Sequence, residues 1–483
     1  MSPIRSCKGA LYGAKGSGSR GTSTDSSLTT LVESDASSDA ESEYAPEPQF
    51  TAKKSKARPR AQALISRGTK SVVFGTLDIG GQELCPTVVF DALWQWMQER
   101  MLIDKKRRSG IPPPWTDDHI LRDYFFCAPY RVADRATQYL VTEVIEKGPQ
   151  SASEIVFRVC IFSTFTKIET WEHLQDTIGP LRWSNYDRSV YQSALRTAQK
   201  SGRPIYTGAY QKPAPKFDYD ETFMNHLALV EMWMQLELPQ LLKDADYLAD
   251  VYEWLISFPG MGEFNTYQLL LNLSYTPVSR FSDNDFVVAG IGAKSGLVKL
   301  FGNSYKIAKE NSDTVDVDIM QWMVDNQAEC FKKLGIDFVG LGPDSLPLTL
   351  PDLEHSICEV DKYARLAFPH IKGKDKRTNL RRSYKQTGKA LPPLQLPKAW
   401  SHPARREVRI RPGPPPVIEK RYLIQAIEGR RETPDGPQYL VYWFGYPAHM
   451  ATWEPEEGLL LDAPDVVADY RKYGQSGIRR VYM

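Results

Sequence analysis

Apolar positions recur at helical spacing through the middle of the chain. Val88, Val89, Leu93, Trp96 and Met97 form one stripe, which predicts a helix over Val88–Met101. Ile111 to Asp118 (IPPPWTDD) breaks it, and Thr116 or Asp117 is placed to cap a further helix over His119–Tyr124. Ala133–Lys147 and Ser153–Phe165 again read as helices. Phe223–Leu236 carries Phe223, Leu227, Val230 and Met234 on one face. Tyr247–Ile256 has the sharpest stripe, made by Leu248, Val251, Tyr252, Leu255 and Ile256. Near the C-terminus the pattern changes. Tyr422–Ile427 and Gln438–Trp443 are short runs rich in β-branched and aromatic residues, separated by the turn-forming Pro434-Asp435-Gly436-Pro437. Ala451–Glu454 predicts a third strand, and Pro464-Asp465 opens a helix that Arg471, Lys472 and Gly474 close. The expected fold is mainly α. It has one large helical domain and a small C-terminal module of three antiparallel strands with one helix packed across them.

The pattern also places boundaries. Residues 1–69 form a Ser-rich arm with too few apolar residues to offset the entropy of ordering, so it is expected to be disordered. It holds an acidic stretch, Glu33 to Glu47, and then a basic run from Lys53 to Arg60. Such a run reads as a nuclear-import signal, a nucleic-acid patch or a merely solvated tail; the family resemblance of the C-terminal module, given below, favours import and hence the nucleus. Residues 70–371 are the helical domain, 372–417 a basic, Pro-rich linker, 418–474 the C-terminal module and 475–483 a tail. Ile371–Ala390 holds eight Lys or Arg against one Asp. Lys374, Lys376, Arg377, Arg381 and Arg382 are therefore candidate DNA-binding residues, gripping phosphate by counterion release.

Composition narrows the class. Hydrophobic content of 42% and charged content of 25% are ordinary for a globular chain, and a net charge of +1 excludes a polycation. None of the six cysteines forms a CxxC pair, so neither a zinc ribbon nor a disulfide framework is indicated. His355 and Cys358 have ligand-like spacing but no second pair nearby, so no metal is expected, and no cofactor either. No apolar run reaches the length of a membrane span, and the Ser/Gly-rich start lacks the apolar core of a secretion signal. A soluble intracellular protein without a membrane partner is expected.

Two stretches carry chemistry. Tyr439–Pro447 (YLVYWFGYP) and Thr452–Glu457 (TWEPEE) resemble the chromodomain, a family of histone-tail readers. The resemblance implies that a methylated histone tail is a partner. It would be held as an added strand and by an aromatic cage, which by motif consists of Tyr422, Trp443 and Tyr446. A methylated ammonium keeps its charge but loses hydration, so aromatic faces attract it by roughly 0.5–2 kcal/mol per contact. Two positions depart from the pattern. Met450 stands where many relatives carry an acid, and Gly458 where a polar residue often meets the peptide.

The second stretch begins with Trp115–Leu121 and Phe125–Arg135 (FFCAPYRVADR), and continues over Ser257–Phe301. Together these resemble the helical domain of the hydroxymethyluracil DNA kinases and thymine-hypermodification pyrophosphorylases, distant relatives of helix-hairpin-helix DNA glycosylases. The resemblance spans roughly residues 90–345 and implies DNA as a partner and a modified pyrimidine as the base acted upon. Pro259-Gly260-Met261-Gly262 lies between two helical patterns. It reads either as an ordinary helix–helix turn or as a hairpin whose glycines, Gly260 and Gly262, let backbone N–H groups approach a phosphate. No lysine stands in the hairpin, so no Schiff-base chemistry is expected there. The resembled glycosylases place an aspartate soon after the second hairpin helix, which makes Asp283 and Asp285 the candidate catalytic pair. The same residues also suit a helix cap. Arg131, Asp134 and Arg135 are expected to form surface ion pairs. Gly290–Gly296 fails the GxxxxGK[ST] spacing of a phosphate loop. Three readings follow: a chromatin-tethered enzyme on modified bases, a catalytically inactive DNA and chromatin adaptor, and a chromodomain protein derived from a retroelement. The last requires an RNase-H-like mixed sheet upstream.

Overall fold

The computed structural model describes residues 69–374, 377–380, 383–384, 390–412 and 422–474. In chain order the first half contains β1 (Leu77–Ile79), β2 (Gln82–Leu84), α1 (Val88–Arg108), α2 (His119–Asp123), α3 (Arg135–Tyr139), α4 (Ala152–Phe165), α5 (Ile168–Ile178) and α6 (Arg188–Lys200). Then come α7 (Thr222–Gln235), α8 (Leu238–Asp244), α9 (Leu248–Ile256), α10 (Glu263–Ser274), α11 (Ile291–Asn311), α12 (Val315–Lys333) and α13 (Leu350–Ala367). The C-terminal module holds β3 (Ile424–Thr433), β4 (Gly436–Trp443), β5 (Thr452–Pro455), α14 (Glu456–Asp462) and α15 (Pro464–Tyr473). The predicted helices all form. The strands upstream of β3 are two three-residue segments in one antiparallel hairpin, so no RNase-H-like mixed sheet exists among the described residues. None of the described helices is long and apolar enough to cross a membrane.

The described chain divides into two compact units. One holds Gly148–Leu273 with 411–474, and the other holds 69–147 with Ser274–Ile410. The stretch 70–371 is thus distributed over both.

In the second unit, α1 starts where the Thr87 side chain accepts from Val89 N at 3.1 Å. Its apolar stripe is fully buried, with Val89, Leu93 and Met97 at 0% exposure. The cap of α2 is Asp118 rather than Thr116 or Asp117. Its carboxylate accepts from Ile120 N (2.7 Å) and Leu121 N (3.2 Å), because only a residue immediately before the helix reaches both free donors. α3 continues into a π-turn over Leu140–Ile145, so the predicted helix is present with one wider turn.

α13 is a buried helix built with charges. Asp361 is 1% exposed and is met by Lys299 (3.0 Å) and Arg365 (2.9 Å), while Lys362 meets Glu359 at 2.5 Å. Such groups survive burial only in pairs. α11 crosses α13 closely. A Cβ at Gly292 would stand 2.3 Å from Cys358 Sγ, and one at Gly296 would stand 2.4 Å from Ile357 O. The glycine-rich stretch that fails as a phosphate loop is therefore a helix-crossing surface.

In the C-terminal module β3, β4 and β5 pair in that order, all antiparallel, with Ile424 opposite Trp443 and Tyr439 opposite Glu454. Ile427, Tyr439, Val441, Leu459 and Val467 form its core. α14, which the sequence reading did not separate from the turn after β5, contributes Leu459 to that core.

Candidate functional site

The C-terminal sheet brings Tyr422, Trp443 and Tyr446 together. The ring of Tyr422 lies 6.2 Å from Trp443, edge-on at 72°, and 6.2 Å from Tyr446. Each wall has a local cause. Trp443 ends β4, and its Nε1 donates to Thr452 Oγ1 at 2.8 Å, which in turn donates to Glu454 at 2.6 Å. Phe444 N donates to Leu423 O (2.7 Å), holding the Tyr422 segment against the end of β4. Tyr446 N donates to Trp443 O (3.1 Å) in the turn at Gly445, whose φ of +86° favours glycine. Tyr422 is 37% exposed, so the group is open to a ligand. Three π faces fixed at this spacing can surround a methylated ammonium.

The second candidate is the turn between α9 and α10. Gly260 has φ +78°, and a Cβ there would stand 2.5 Å from Pro215 N, so no other residue fits. Gly262 has open space around it and is exposed. Beside the turn is a small cavity of ≈ 40 Å³, lined by Cys160, Lys212, His226, Trp233, Gly260 and Asn265 among others. Lys212 is the one lysine in the lining of that cavity. Its Nζ donates to Ser163 O at 2.5 Å and sits 5.0 Å from the Tyr210 ring centroid. Sequence reasoning missed this lysine because it enters from a loop far from the hairpin, with no periodicity of its own.

His226 is buried in the same wall. Its Nε2 lies 3.3 Å from Pro213 O and its Nδ1 2.7 Å from Tyr206 Oη. A carbonyl only accepts, so Nε2 carries the proton and Nδ1 accepts from the phenol. Burial, then the charge of Lys212, push its pKa down to about 4. Between pH 6.5 and that value the unfolded chain binds a proton that the folded chain refuses, so acidification removes stability. Urea unfolding of wild type should lose up to about 2 kcal/mol between pH 6.5 and 5 relative to His226→Gln. Parallel losses in the two proteins would show that His226 is not held neutral.

Asp283 and Asp285 lie in the unit that holds α13. Asp283 is met by the guanidinium of Arg405 at 2.7 Å, and the same arginine donates to Ser274 O at 2.8 Å. Burial pushes the Asp283 carboxyl up, with the charge and hydrogen bond of Arg405 opposing. Asp285 accepts from Ser282 N (3.0 Å) and Arg409 N (2.8 Å), and burial raises its pKa too. Both carboxylates are thus occupied by internal donors, two of them from the segment that follows the basic stretch. Asn284, between them, accepts from Leu350 N at 2.9 Å and helps to start α13.

The same unit buries the other motif. Arg131 and Asp134 are 5% and 4% exposed, which overturns their expected place in surface ion pairs. Asp134 faces His355 at 3.1 Å and accepts from Ala128 N at 2.9 Å, while Arg131 N donates to Asp352 at 2.8 Å. Burial pushes Asp352 up to about 6. Cys127, Asp134 and His355 offer ligand-type atoms within 4.8 Å of one another. Burial disfavours a charged imidazole, but the hydrogen bond and charge of Asp134, with the charge of Glu359, outweigh it and raise the His355 pKa.

Of the basic candidates, Lys374 is fixed through its backbone, with N donating to Ser295 Oγ at 3.1 Å. Arg377 is described, whereas Lys376, Arg381 and Arg382 lie outside the described residues. Further along, Gln395 N donates to Gln138 (2.9 Å) and Trp400 packs 6.2 Å from Tyr275, so part of the predicted linker is ordered.

Comparison with known proteins assigns both folded parts of the chain to families. The family described as 5-hmdU DNA kinase, helical domain, matches residues 87–373, more than half of the chain. The chromo (chromatin organisation modifier) domain matches residues 422–473. The chain is 23% identical over 276 residues to the 5-hmdU DNA kinase of Bacillus phage SP10, a match covering 53% of this chain and 41% of that protein. It thus spans about two-fifths of the length of that curated relative. No solved structure matches. With a helical match over most of two units and a chromo domain behind it, this chain belongs to the family of the 5-hmdU DNA kinase helical domain.

Proposed function

We propose that this protein is a nuclear, chromatin-bound reader of methylated lysine whose helical part holds DNA carrying modified pyrimidines. The observation that carries this reading is the convergence of Tyr422, Trp443 and Tyr446 at 6.2 Å ring spacings on a chromo domain. The glycine turn at Gly260 and Gly262 and the basic residues Lys374, Lys376, Arg377, Arg381 and Arg382 supply sequence-independent contacts to phosphate. The relatedness to a 5-hmdU DNA kinase points to hydroxymethyluracil-type bases as those presented.

The test has two arms on the full chain. A trimethyl-lysine histone-tail peptide should bind more tightly than its unmethylated twin, and equal affinities rule out the reader. Duplex DNA with and without hydroxymethyluracil should then be titrated over a salt series. Changing the five basic residues to Gln should flatten the slope of log K against log salt by up to about 0.9 per lost phosphate contact. An unchanged slope removes them from the DNA interface.

A second reading, base chemistry at Asp283, is favoured by the upward push on its pKa, which is the direction a general base needs. It requires Arg405 to release the carboxylate. Mass spectrometry of nucleosides from hydroxymethyluracil DNA, or its phosphorylated form, incubated with protein and candidate amines tests it. Loss of base or a new adduct that disappears in Asp283→Asn supports an enzyme, and no change with any substrate favours an adaptor.

A further inference from the structure

We propose that the methyl-lysine site of this chain is composite: the loop segment Pro215–Asp218, which leads into α7, seats Tyr446, and Phe217 and Asp218 are positioning residues of the reader. The proposal rests on the cage reading above.

The cage walls are not equally supported from within their own module. Trp443 has the hydrogen bond to Thr452 and the module's core behind it. Tyr446 lies beyond β4, in a turn, and its ring is outside that core. What it meets instead is Phe217, with ring centroids 5.0 Å apart and planes at 83°. This is an edge-to-face pair, the geometry that fixes one ring against another. Phe217 is 0% exposed. Next to it the backbone of the same turn presses on α7. A Cβ at Gly445 would stand 2.7 Å from Met232 Cε and 3.4 Å from the Phe217 ring. One residue further along the segment, Asp218 pairs with His449 at 2.7 Å, in the short helix after the cage turn.

The seat is itself held rigidly. Asn225 of α7 accepts from Phe217 N (3.0 Å) and Tyr219 N (3.3 Å), and donates to Tyr219 O (2.9 Å). This clamp brackets Asp218, whose φ of +64° is unusual for a residue with a side chain. At its other end the segment is pinned by Pro215, which closes on Gly260. A strained turn held from both sides is a pre-organised support, and pre-organisation raises affinity by removing the ordering cost of binding. An unsupported Tyr446 would have to be ordered by the ligand.

The experiment uses the full chain, with a trimethyl-lysine histone-tail peptide and its unmethylated twin as probes. Phe217→Ala should weaken the trimethyl peptide about five- to tenfold, the effect of losing one aromatic pair. The unmethylated peptide, held by main-chain bonds, should change less than twofold, so the methylation ratio collapses. Phe217→Leu, which keeps the volume, should fold like wild type and recover only part of the ratio. Asp218→Asn, at an exposed pair, should lower the ratio without altering the unfolding midpoint. A methylation ratio within twofold of wild type in both Phe217→Leu and Asp218→Asn overturns the composite site, even if Phe217→Ala fails to fold. Wild type with no methyl preference removes the cage reading itself, which is a different result and is visible before any variant is made.

Discussion

Trp443→Ala in the full chain is expected to reduce binding of a trimethyl-lysine peptide by roughly 30- to 150-fold, about 2–3 kcal/mol. Two effects combine. The indole is the strongest π face of the three, and a desolvated cation over tryptophan is the most favourable of these contacts. It also stands edge-on to Tyr422 at 72°, so its removal frees a second wall. Trp443→Phe keeps a face but loses the Nε1 bond to Thr452, and should fall between alanine and wild type. Because Trp443 also packs on the core of Ile427, Tyr439 and Val441, circular dichroism must show that the module stays folded. The unmethylated peptide is the control, since strand addition depends on main-chain bonds. An alanine variant that retains wild-type discrimination between the two peptides would remove Trp443 from the cage.

The second large effect is on stability. Arg405→Ala should destabilise the protein by about 3–5 kcal/mol at pH 7, because it leaves Asp283 buried without its countercharge. The pH dependence has a defined sign. Burial already pushes the Asp283 carboxyl above its ordinary value with Arg405 opposing, so removing the arginine raises it further. The folded variant then binds a proton that the unfolded chain has released, and its stability deficit grows as pH rises from about 4 to 7. In acid the protonated carboxyl needs no partner and the deficit should shrink. Asp283→Asn/Arg405→Ala should recover part of the loss, since neither charge is then stranded. Urea midpoints at pH 4.5 and 7 measure all of this. A single variant within about 0.5 kcal/mol of wild type at pH 7 would show that the pair is not structurally required.

The sequence determined the local elements because their causes are local. A 3.6-residue apolar period gave α1, α7 and α9, with boundaries within a few residues except where α1 runs on to Arg108. Turn residues and β-branched runs gave β3 and β4, and the resemblance of Tyr439–Pro447 and Thr452–Glu457 to the chromodomain implied Tyr422, Trp443 and Tyr446 as a group, whose rings the fold brings near one another. The hairpin glycine could also be read, since a turn between two helices demands one.

What tertiary structure decided are the contacts between residues far apart in the chain. Asp283 was visible as a carboxylate in a suitable place. That Arg405, 122 residues later in a Pro-rich stretch, would occupy it was not. Arg131 and Asp134 read as surface charges because a charge pattern on a short segment does not reveal burial. His355 and Asp352, both carried by α13, make them interior. Lys212 reaches the hairpin, and Phe217 reaches Tyr446, from a loop with no period to interpret. Periodicity records which face of an element turns inward. It does not record which other element will be there, and the chemistry of both sites depends on that second fact.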